Sequence, residues 1–337
     1  MNEFELIAHY FQQQRAPLPP GHPESLLPDS LPAAPQDGGV LLGIGDDCAL
    51  LDTLLPGEAL AVSSDMLVAG RHFFEGTSPE AIGHKALAVN LSDLAAMGAR
   101  PVGFTLSLAL PGVDEGWLSA FSRGMLRLAS RAACPLIGGD TTRGPLNICI
   151  TVMGAVPVGH ALRRDGARPG DQVWVSGPLG AASLAVAQRA AGAVAAPEAA
   201  ARLDWPMPRL AVGLHLRGLA TAAMDLSDGL AGDLGHLLAA SSRRCACLLG
   251  AELQASRLPW ADVLDGLTPD QMLHHALHGG DDYELLFTAA PTSQAAIEAL
   301  VPDARRIGQV VPGQGILLVD GAGQTRPVSP RGHDHFA

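Results

Sequence analysis

The chain consists of short apolar runs that end in glycine, serine or aspartate and alternate with segments of helical periodicity. The run at 102–110 is typical of a strand, whereas Leu87, Leu91 and Leu94 recur within 79–97 at the spacing of one helix face. The same alternation returns after residue 170. Strands that alternate with helices indicate an α/β (or α+β) fold, here in two halves.

Length and proline content divide the chain further. At about 150 residues per domain, 337 residues suggest two domains. We predict an N-terminal domain over residues 1–157 and a C-terminal domain over 158–337. Residues 16–39 are rich in proline, which fixes φ and removes hydrogen-bond donors, so this segment is predicted to be a loop.

Composition excludes several classes of protein. A net charge of −12 would repel a phosphate backbone, so no nucleic-acid partner is expected. The five cysteines form no CxxC pair, which predicts reduced, buried thiols. The N-terminus is acidic where a secretion signal is basic, and no apolar run approaches about 18 residues. We therefore expect a cytoplasmic protein with no membrane partner.

Aspartates follow several of the predicted strands and are flanked by glycine, serine or threonine. At such positions a sheet presents ligands at its edge. Carboxylates with neighbouring hydroxyls form an all-oxygen environment, which suits Mg²⁺ and lets it bridge to substrate phosphates. The pattern therefore predicts metal-bridged phosphate chemistry. The residues are Asp46, Asp47, Asp65, Asp93, Asp140, Asp225, Asp228, Asp281 and Asp282.

Each of these acids also has a structural interpretation. A single Asp beside Gly after a strand is more often part of a turn. In the pairs Asp46–Asp47 and Asp281–Asp282 the two negative charges repel each other, so a cation is equally plausible there. Asp93 lies among Ala, Leu and Met, where an acid faces either solvent or a cleft. Both alternatives stay open for it.

Familiar phosphate-binding devices are missing. Lys85 is the only lysine and follows His84 in a predicted helix, so no Walker A loop exists. The segment 43–48 lacks the third glycine of a dinucleotide-binding loop and carries acids where a pyrophosphate would approach. His72 lies in a polar run suited to a substrate contact, although a lone loop histidine is more often solvated. Three histidines are predicted on a helix surface: His274, His275 and His278.

Six motifs, taken in order along the chain, resemble the thiamine-monophosphate kinase family. The block at 85–99 is long enough to be specific on its own, and the resemblance covers nearly the whole chain outside the proline-rich loop. The motifs are GIGDDCA at 43–49, SDMLVAG at 64–70, KALAVNLSDLAAMGA at 85–99, GGDTTR at 138–143, DLSDGL at 225–230 and GDDYEL at 280–285.

The resemblance implies a two-domain synthetase-like fold, shared with aminoimidazole ribonucleotide synthetase. Its N-terminal α/β domain would dimerise, and a C-terminal α/β domain would complete a cleft in which several Mg²⁺ ions hold ATP. The implied reaction transfers a phosphoryl group from ATP to thiamine monophosphate, giving ADP and thiamine diphosphate in a homodimer. The attacking phosphate oxygen is already ionised, so no catalytic general base is assigned.

The same resemblance implies roles for individual residues. Metal positions are Asp47, Ser63, Ser64, Asp65, Asp93, Asp140, Asp225 and Asp228. ATP contacts are Gly139, Asp140, Arg164 and Ser227. Substrate contacts are His72, Asp281 and His333.

Three of these positions depart from the family's pattern. Asp281 stands where Glu is frequent, Ser64 replaces Thr, and His333 replaces a tyrosine. These changes bear on substrate affinity more than on the type of reaction. Two alternatives remain: another superfamily member such as aminoimidazole ribonucleotide synthetase, and a non-catalytic nucleotide-binding protein.

Overall fold

The structure, a computed structural model, describes Tyr10, the backbone of residues 40–42 and 50–51, and residues 56–329. The proline-rich segment 16–39, Asp46, Asp47 and His333 lie outside the described residues. Strands β1 (Val40–Leu42) and β2 (Leu50–Leu51) pair antiparallel.

The chain divides into two compact units. The N-terminal unit comprises the described residues up to Leu94, together with Ala99–Gly159 and Asp204–Leu210. The C-terminal unit comprises Ala95–Gly98, His160–Leu203 and the described residues from Ala211. Each unit is built around its own sheet.

The N-terminal unit contains a four-stranded sheet with the strand order β3-β6-β4-β5. β4 and β5 are parallel, and the other neighbours are antiparallel. The strands are β3 (Glu58–Val68), β4 (Arg100–Leu110), β5 (Leu136–Arg143) and β6 (Asn147–Pro157), and the helices are α1 (Pro79–Ala96) and α2 (Glu115–Arg131).

Helix α1 forms much of the core of this unit. Every residue from 81 to 92 is buried, and Lys85 is only 4% exposed. A helix that is buried all round belongs to a protein interior rather than to a surface. The polar side chains of α1 are therefore held among apolar neighbours.

Two strands extend beyond the apolar runs at 59–62 and 136–137 from which the sequence predicts them. Ser63, Ser64 and Asp65 lie inside β3, and the glycines of the GGDTTR motif lie inside β5. β3 pairs with β6 without interruption from Glu58 to Val68, so the ladder satisfies those backbone groups of the polar segment that face β6. Polar residues alone therefore did not mark the strand ends.

The C-terminal unit contains a seven-stranded sheet with the order β13-β12-β9-β11-β7-β10-β8, in which β9 and β12 are the parallel pair. The strands are β7 (Gln172–Val175), β8 (Ala220–Asp225), β9 (Leu249–Gln254), β10 (Leu285–Ala289), β11 (Arg305–Pro312), β12 (Gly315–Val319) and β13 (Thr325–Val328). The helices that follow residue 180 are α3 (Ala181–Ala190), α4 (Pro197–Asp204), α5 (Leu210–His215), α6 (Leu230–Cys245), α7 (Pro269–His278) and α8 (Gln294–Leu300).

The prediction of reduced, buried thiols is wrong for two cysteines. Cys245 and Cys247 form a disulfide at the exposed end of α6. Ala246 adopts a φ of +52°, which turns the chain so that the two Cα atoms are 5.3 Å apart. Cys134 is a free, buried thiol as predicted, and burial raises its pKa.

Among the described residues, no helix has both the length and the apolar character that crossing a membrane requires.

Candidate active site

Ser63 and Asp93 meet between β3 and α1. Ser63 Oγ donates a hydrogen bond of 2.5 Å to Asp93 Oδ2, and both side chains are partly buried. Two residues further along β3, Asp65 N donates to Asn90 Oδ1 over 2.9 Å, and Asn90 Nδ2 is bonded to Ala86 O. Asp93 therefore points to the sheet rather than to open solvent. We call this side of the N-terminal sheet the inner face.

Ser64 lies on the opposite side, the outer face, because successive residues of a strand alternate between faces. Its Oγ lies 3.0 Å from Thr151 Oγ1 and donates to Ile150 O over 3.1 Å. Asp140 is also on the outer face, since it pairs with Ser107 in register.

β3 and β5 are the two edges of this sheet, separated by three strand spacings, about 14 Å, and Asp140 lies two residues further along β5 than Gly138, which is level with Ser64. The structure thus brings Ser63, Asp65 and Asp93 together, and it places Ser64 and Asp140 elsewhere in the same unit.

Gly139 occupies a position in β5 that only glycine can take. Its φ is +147°, and a Cβ atom would overlap the carbonyl oxygen of Leu106 on the neighbouring strand. Close strand packing is therefore the first explanation for the second glycine of the GGDTTR motif. The next residue, Asp140, is exposed at the edge of the sheet.

His72 lies in the turn after β3 and is half-buried. Its Nδ1 accepts a hydrogen bond from Val68 N over 3.0 Å, and its own backbone N donates to Val68 O. The ring is thus oriented by its own turn, unlike the ring of a fully solvated loop histidine. An imidazole that is fixed in one orientation is suited to contacting an anionic substrate.

In the C-terminal unit the DLSDGL motif and the GDDYEL motif lie side by side. Asp281 N donates to Ser227 O over 2.9 Å, and Tyr283 N donates to Leu226 O over 2.8 Å. Asp281 and Tyr283 both have positive φ, at +68° and +49°. Such backbone conformations are sparsely populated and concentrate at functional sites. The structure therefore brings the predicted residues Ser227, Asp228 and Asp281 together.

Asp233, in the first turn of α6, is a functional candidate that the sequence analysis missed. It is 1% exposed, and its Oδ2 accepts hydrogen bonds from Asp228 N and Gly229 N over 3.2 and 3.1 Å. Burial and the charges of Asp228 and Asp225 raise the pKa of Asp233 to about 7. Its signal in the sequence is an acid five residues after Asp228 at the start of a helix.

Asp282 and Glu284 have structural roles that no motif indicated. Both oxygens of Asp282 accept from Gly180 N, over 2.9 and 3.1 Å, and burial raises the pKa of Asp282 well above its ordinary value. Glu284 is buried, accepts from Ser176 Oγ over 2.5 Å and forms an ion pair with Arg202. Burial therefore disfavours the charged form of Asp282 and lessens its repulsion with Asp281, so the presence of the pair alone does not require a cation.

Arg164 is exposed, and its backbone is tied to α6 because Ser241 Oγ donates to Arg164 O over 3.1 Å. The adjacent Asp165 binds Arg163 and Arg244 at 2.6 and 2.9 Å. The Arg163 guanidinium, assisted by Arg244, holds the pKa of Asp165 below its ordinary value. This network fixes the segment while the Arg164 side chain extends into solvent.

The three helix histidines are not all on the surface. His274 is exposed, but His275 is 9% exposed and lies 2.9 Å from Ser183 Oγ. Burial and neighbouring His274 lower the pKa of His275. The prediction of a helix surface is wrong for His275 because α7 packs this side inward.

Within residues 56–329, no three or more His, Cys, Asp or Glu side chains are arranged to hold a metal ion by themselves. Any ion bound there would complete its shell with hydroxyls, water or ligand oxygens, as Mg²⁺ usually does.

Two family models match the chain. AIR synthase related protein, N-terminal domain, matches residues 45–156, and AIR synthase related protein, C-terminal domain, matches residues 168–320. The predicted two-domain fold is confirmed.

Relatives and solved structures match over most of their own length. Thiamine-monophosphate kinase of Escherichia coli O157:H7 is 43% identical over 345 residues, which cover 99% of this chain and 98% of that protein. The crystal structure of thiamine-monophosphate kinase from Stenotrophomonas maltophilia K279a is 46% identical with a TM-score of 0.77, covering 83% of this chain and 91% of that one. A structure of AaThiL complexed with AMPPCP and TMP is 31% identical with a TM-score of 0.73, covering 84% and 89%. With identity of this level along nearly its whole length, the chain belongs to the thiamine-monophosphate kinase family.

Proposed function

We propose that this kinase transfers the γ-phosphoryl group of ATP to the phosphate of thiamine monophosphate, giving ADP and thiamine diphosphate. The observation that carries the proposal is the 43% identity to a thiamine-monophosphate kinase across 99% of the chain. The complex of AaThiL with AMPPCP and TMP supports ATP and thiamine monophosphate as the two substrates.

Magnesium fits the side chains that the two units offer. In the N-terminal unit the donors are Ser63, Asp65 and Asp93, and in the C-terminal unit they are Asp225 and Asp228. All are oxygen donors, the type that Mg²⁺ prefers. The pKa of Asp233 is raised first by burial and then by the charges of Asp228 and Asp225, and a cation bound to those two carboxylates would oppose their part of the shift.

We therefore propose that these residues hold Mg²⁺, which would neutralise phosphate charge when bound. Asp47, Ser64 and Asp140 remain proposed metal positions on the resemblance alone.

The chain's own residues orient the reactants. Ser63 directs the Asp93 carboxylate through its hydrogen bond, so the carboxylate is held in one position before any ligand arrives. Arg164 extends from a segment fixed by Ser241, and its planar guanidinium can bind two phosphate oxygens at once. No residue acts as a general base, since a phosphate nucleophile is already ionised near neutral pH.

The remaining proposed contacts are divided between the units. Gly139, Asp140 and Ser227 would contact ATP, and His72 and Asp281 would hold the substrate phosphate. His333 would contact the thiamine ring. His72 and Asp281 carry the strongest support from geometry, because a hydrogen bond orients the first and a strained backbone holds the second.

We further propose that the chain forms a homodimer through the outer face of the N-terminal sheet. Leu60, Val62 and Met66 alternate along β3 and are 49%, 59% and 51% exposed on that face. β3 is also an edge strand, so its apolar side chains lack a neighbour on one side. An exposed stripe of large apolar side chains, here interrupted by Ser64, is typical of an interface. A cytoplasmic location stays a prediction.

The reaction is tested by incubating the purified chain with ATP, Mg²⁺ and thiamine monophosphate and separating the products by chromatography. We expect thiamine diphosphate and ADP in equal amounts. ADP formation without thiamine diphosphate, combined with tight binding of another phosphorylated acceptor, would overturn the assignment in favour of a different superfamily activity.

Asp93→Asn should lower turnover about a hundredfold, because the variant keeps the volume but loses a charge at the proposed metal position. The matched control is Asp270→Asn, at an exposed residue in the first turn of α7 and outside all six motifs. Thermal unfolding of both variants should resemble that of the wild type. Equal turnover in Asp93→Asn and the control would remove Asp93 from the proposed site.

A further inference from the structure

A cleft of about 590 Å³ opens on the C-terminal unit, away from the motifs that carry the proposed reaction. It is bounded by the start of β11, by α8 and by the segment 256–259. None of the predicted metal, ATP or substrate residues lines it. The volume lies in the range typical of sites for small molecules. We call it the arginine cleft, after Arg257, Arg305 and Arg306.

The charge of the arginine cleft is opposite to that of the chain. Three arginines line it against one acid, Glu298, in a protein of net charge −12. In the part of the chain that the structure describes, Arg257 and Arg306 have no acidic partner. Arg305 Nη1 donates to Pro302 O and Ala304 O over 2.9 and 3.2 Å, which holds its guanidinium at the rim. Because Arg305 and Arg306 are consecutive in β11, their side chains leave opposite faces of the strand, so Arg257 and Arg306 are the two arginines that an anion in the cleft could join.

Trp174 lines the arginine cleft and is 1% exposed. It stacks on Phe287 with a centroid distance of 6.1 Å, and Arg306 is its partner in the register of β7 and β11. The indole Nε1 is buried and has no hydrogen-bond partner among the described residues. Buried N–H groups are nearly always satisfied in folded proteins, so this indole is a candidate donor to an oxygen of a bound ligand.

The arginine cleft also has an apolar wall, formed by Leu258, Pro259 and Pro302. A bare ion would use only the charged side of such a site. A ligand with an anionic head and a small apolar body would use both sides. The forked donors of arginine match the oxygens of a phosphate group, to which they can donate two parallel hydrogen bonds.

We propose that the arginine cleft binds the phosphate group of a small organic phosphate, at a site separate from the motifs of the proposed reaction. The guanidinium groups of Arg257 and Arg306 bind the phosphate oxygens, and the wall of Leu258 and Pro259 packs against the organic part. The binding is non-covalent and requires no residue of the proposed kinase site.

The test uses the full chain labelled with ¹⁵N at its four tryptophan indoles, one of which is Trp174. The probes are phenyl phosphate, inorganic phosphate and benzoate, titrated separately at constant ionic strength. We expect phenyl phosphate to shift the Trp174 indole signal saturably, inorganic phosphate to do so more weakly, and benzoate to have little effect. Trp174→Phe assigns the signal. If that variant does not fold, Trp117→Phe, Trp205→Phe and Trp260→Phe assign the other three signals.

Arg257→Gln and Arg306→Gln should each weaken phenyl phosphate binding about tenfold, the effect of losing a charge-assisted hydrogen bond. Arg326→Gln is the matched control, because Arg326 is an exposed arginine on β13 of the same unit and does not line the cleft. A Trp174 signal that no probe shifts would overturn the proposal. Binding that is equally tight for benzoate, or equal in all three arginine variants, would also overturn it. These outcomes do not depend on kinase activity.

Discussion

Asp233 holds a carboxyl group away from water and beside two other carboxylates. Its pKa is raised from 3.8 to about 7 by burial and by the charges of Asp228 and Asp225. Two backbone N–H groups bind its Oδ2 and oppose the shift, but burial dominates. Near neutral pH the folded protein therefore takes up a proton at this residue, which the unfolded chain has released.

This difference predicts a pH dependence of stability. Between the unfolded and the folded pKa of Asp233, the folded state binds more protons, so the free energy of unfolding falls as the pH rises. The fall should reach about 1.4 kcal/mol per pH unit for one group. Urea unfolding of the metal-free chain from about pH 5 to about pH 7 measures it.

Asp233→Asn keeps an acceptor oxygen for Asp228 N and Gly229 N but cannot titrate. The variant should therefore flatten the pH dependence over that window, and its stability relative to the wild type should rise with pH. Parallel pH profiles for the wild type and the variant would show that Asp233 is ionised in the folded state throughout.

At the level of the element, β5 passes so close to β4 that Gly139 has no room for a side chain. Gly139→Ala combines a φ of +147° with an overlap against the Leu106 carbonyl, and neither can relax cheaply within a ladder. We expect it to lower the free energy of unfolding by about 3 kcal/mol or to prevent folding.

The control is Gly144→Ala, just after β5, where a Cβ would make ordinary contact with Ala109 Cβ at 3.5 Å. Its free energy of unfolding should change by less than about 1 kcal/mol. Urea unfolding compares the two variants. If Gly139→Ala were as stable as Gly144→Ala, the close approach of the strands would not be the reason for glycine at this position.

Most elements could be predicted from the chain because their apolar periodicity is strong. The helix predicted at 79–97 is α1, and the strand predicted at 102–110 lies within β4. β3 was cut short because its inner-face positions carry Ser63 and Asp65, whose partners lie on a helix about 30 residues away in sequence. Such partners are set by tertiary packing, which local periodicity does not encode.

In the candidate site, too, local sequence motifs were predictive, whereas contacts set by tertiary packing were not. Motif order identified the family, the acids at β8 and the turn before β10. Asp233 was missed, and Asp282 was named only as a metal-type acid, because each is defined by the backbone N–H groups that it caps, and those contacts exist only in the folded chain. The Cys245–Cys247 disulfide was missed because it depends on a positive φ at Ala246.

At the scale of the whole molecule, the outer face of the N-terminal sheet determines the proposed assembly. Val62→Lys places a charge at the centre of its exposed apolar stripe, and in a symmetric interface the charge would appear twice. Light scattering coupled to size-exclusion chromatography should change from a dimer mass to a monomer mass.

Val194→Lys is the control, because Val194 is 96% exposed and belongs to the C-terminal unit. That variant should keep the wild-type mass. A wild-type chain that is already monomeric at micromolar concentration, or a Val62→Lys variant that stays dimeric, would contradict the proposed interface.

Because Lys85 is buried in α1, its ε-amino group is shielded from amine-reactive reagents in the folded protein. The chain has one ε-amino group, and it is 4% exposed in the core of the N-terminal unit. An acylating reagent can reach that nitrogen only when α1 loses its packing. The rate of Lys85 acylation can be measured by mass spectrometry, with acylation of the α-amino group as the internal reference. It would therefore report the rate at which the N-terminal core opens, without any added label.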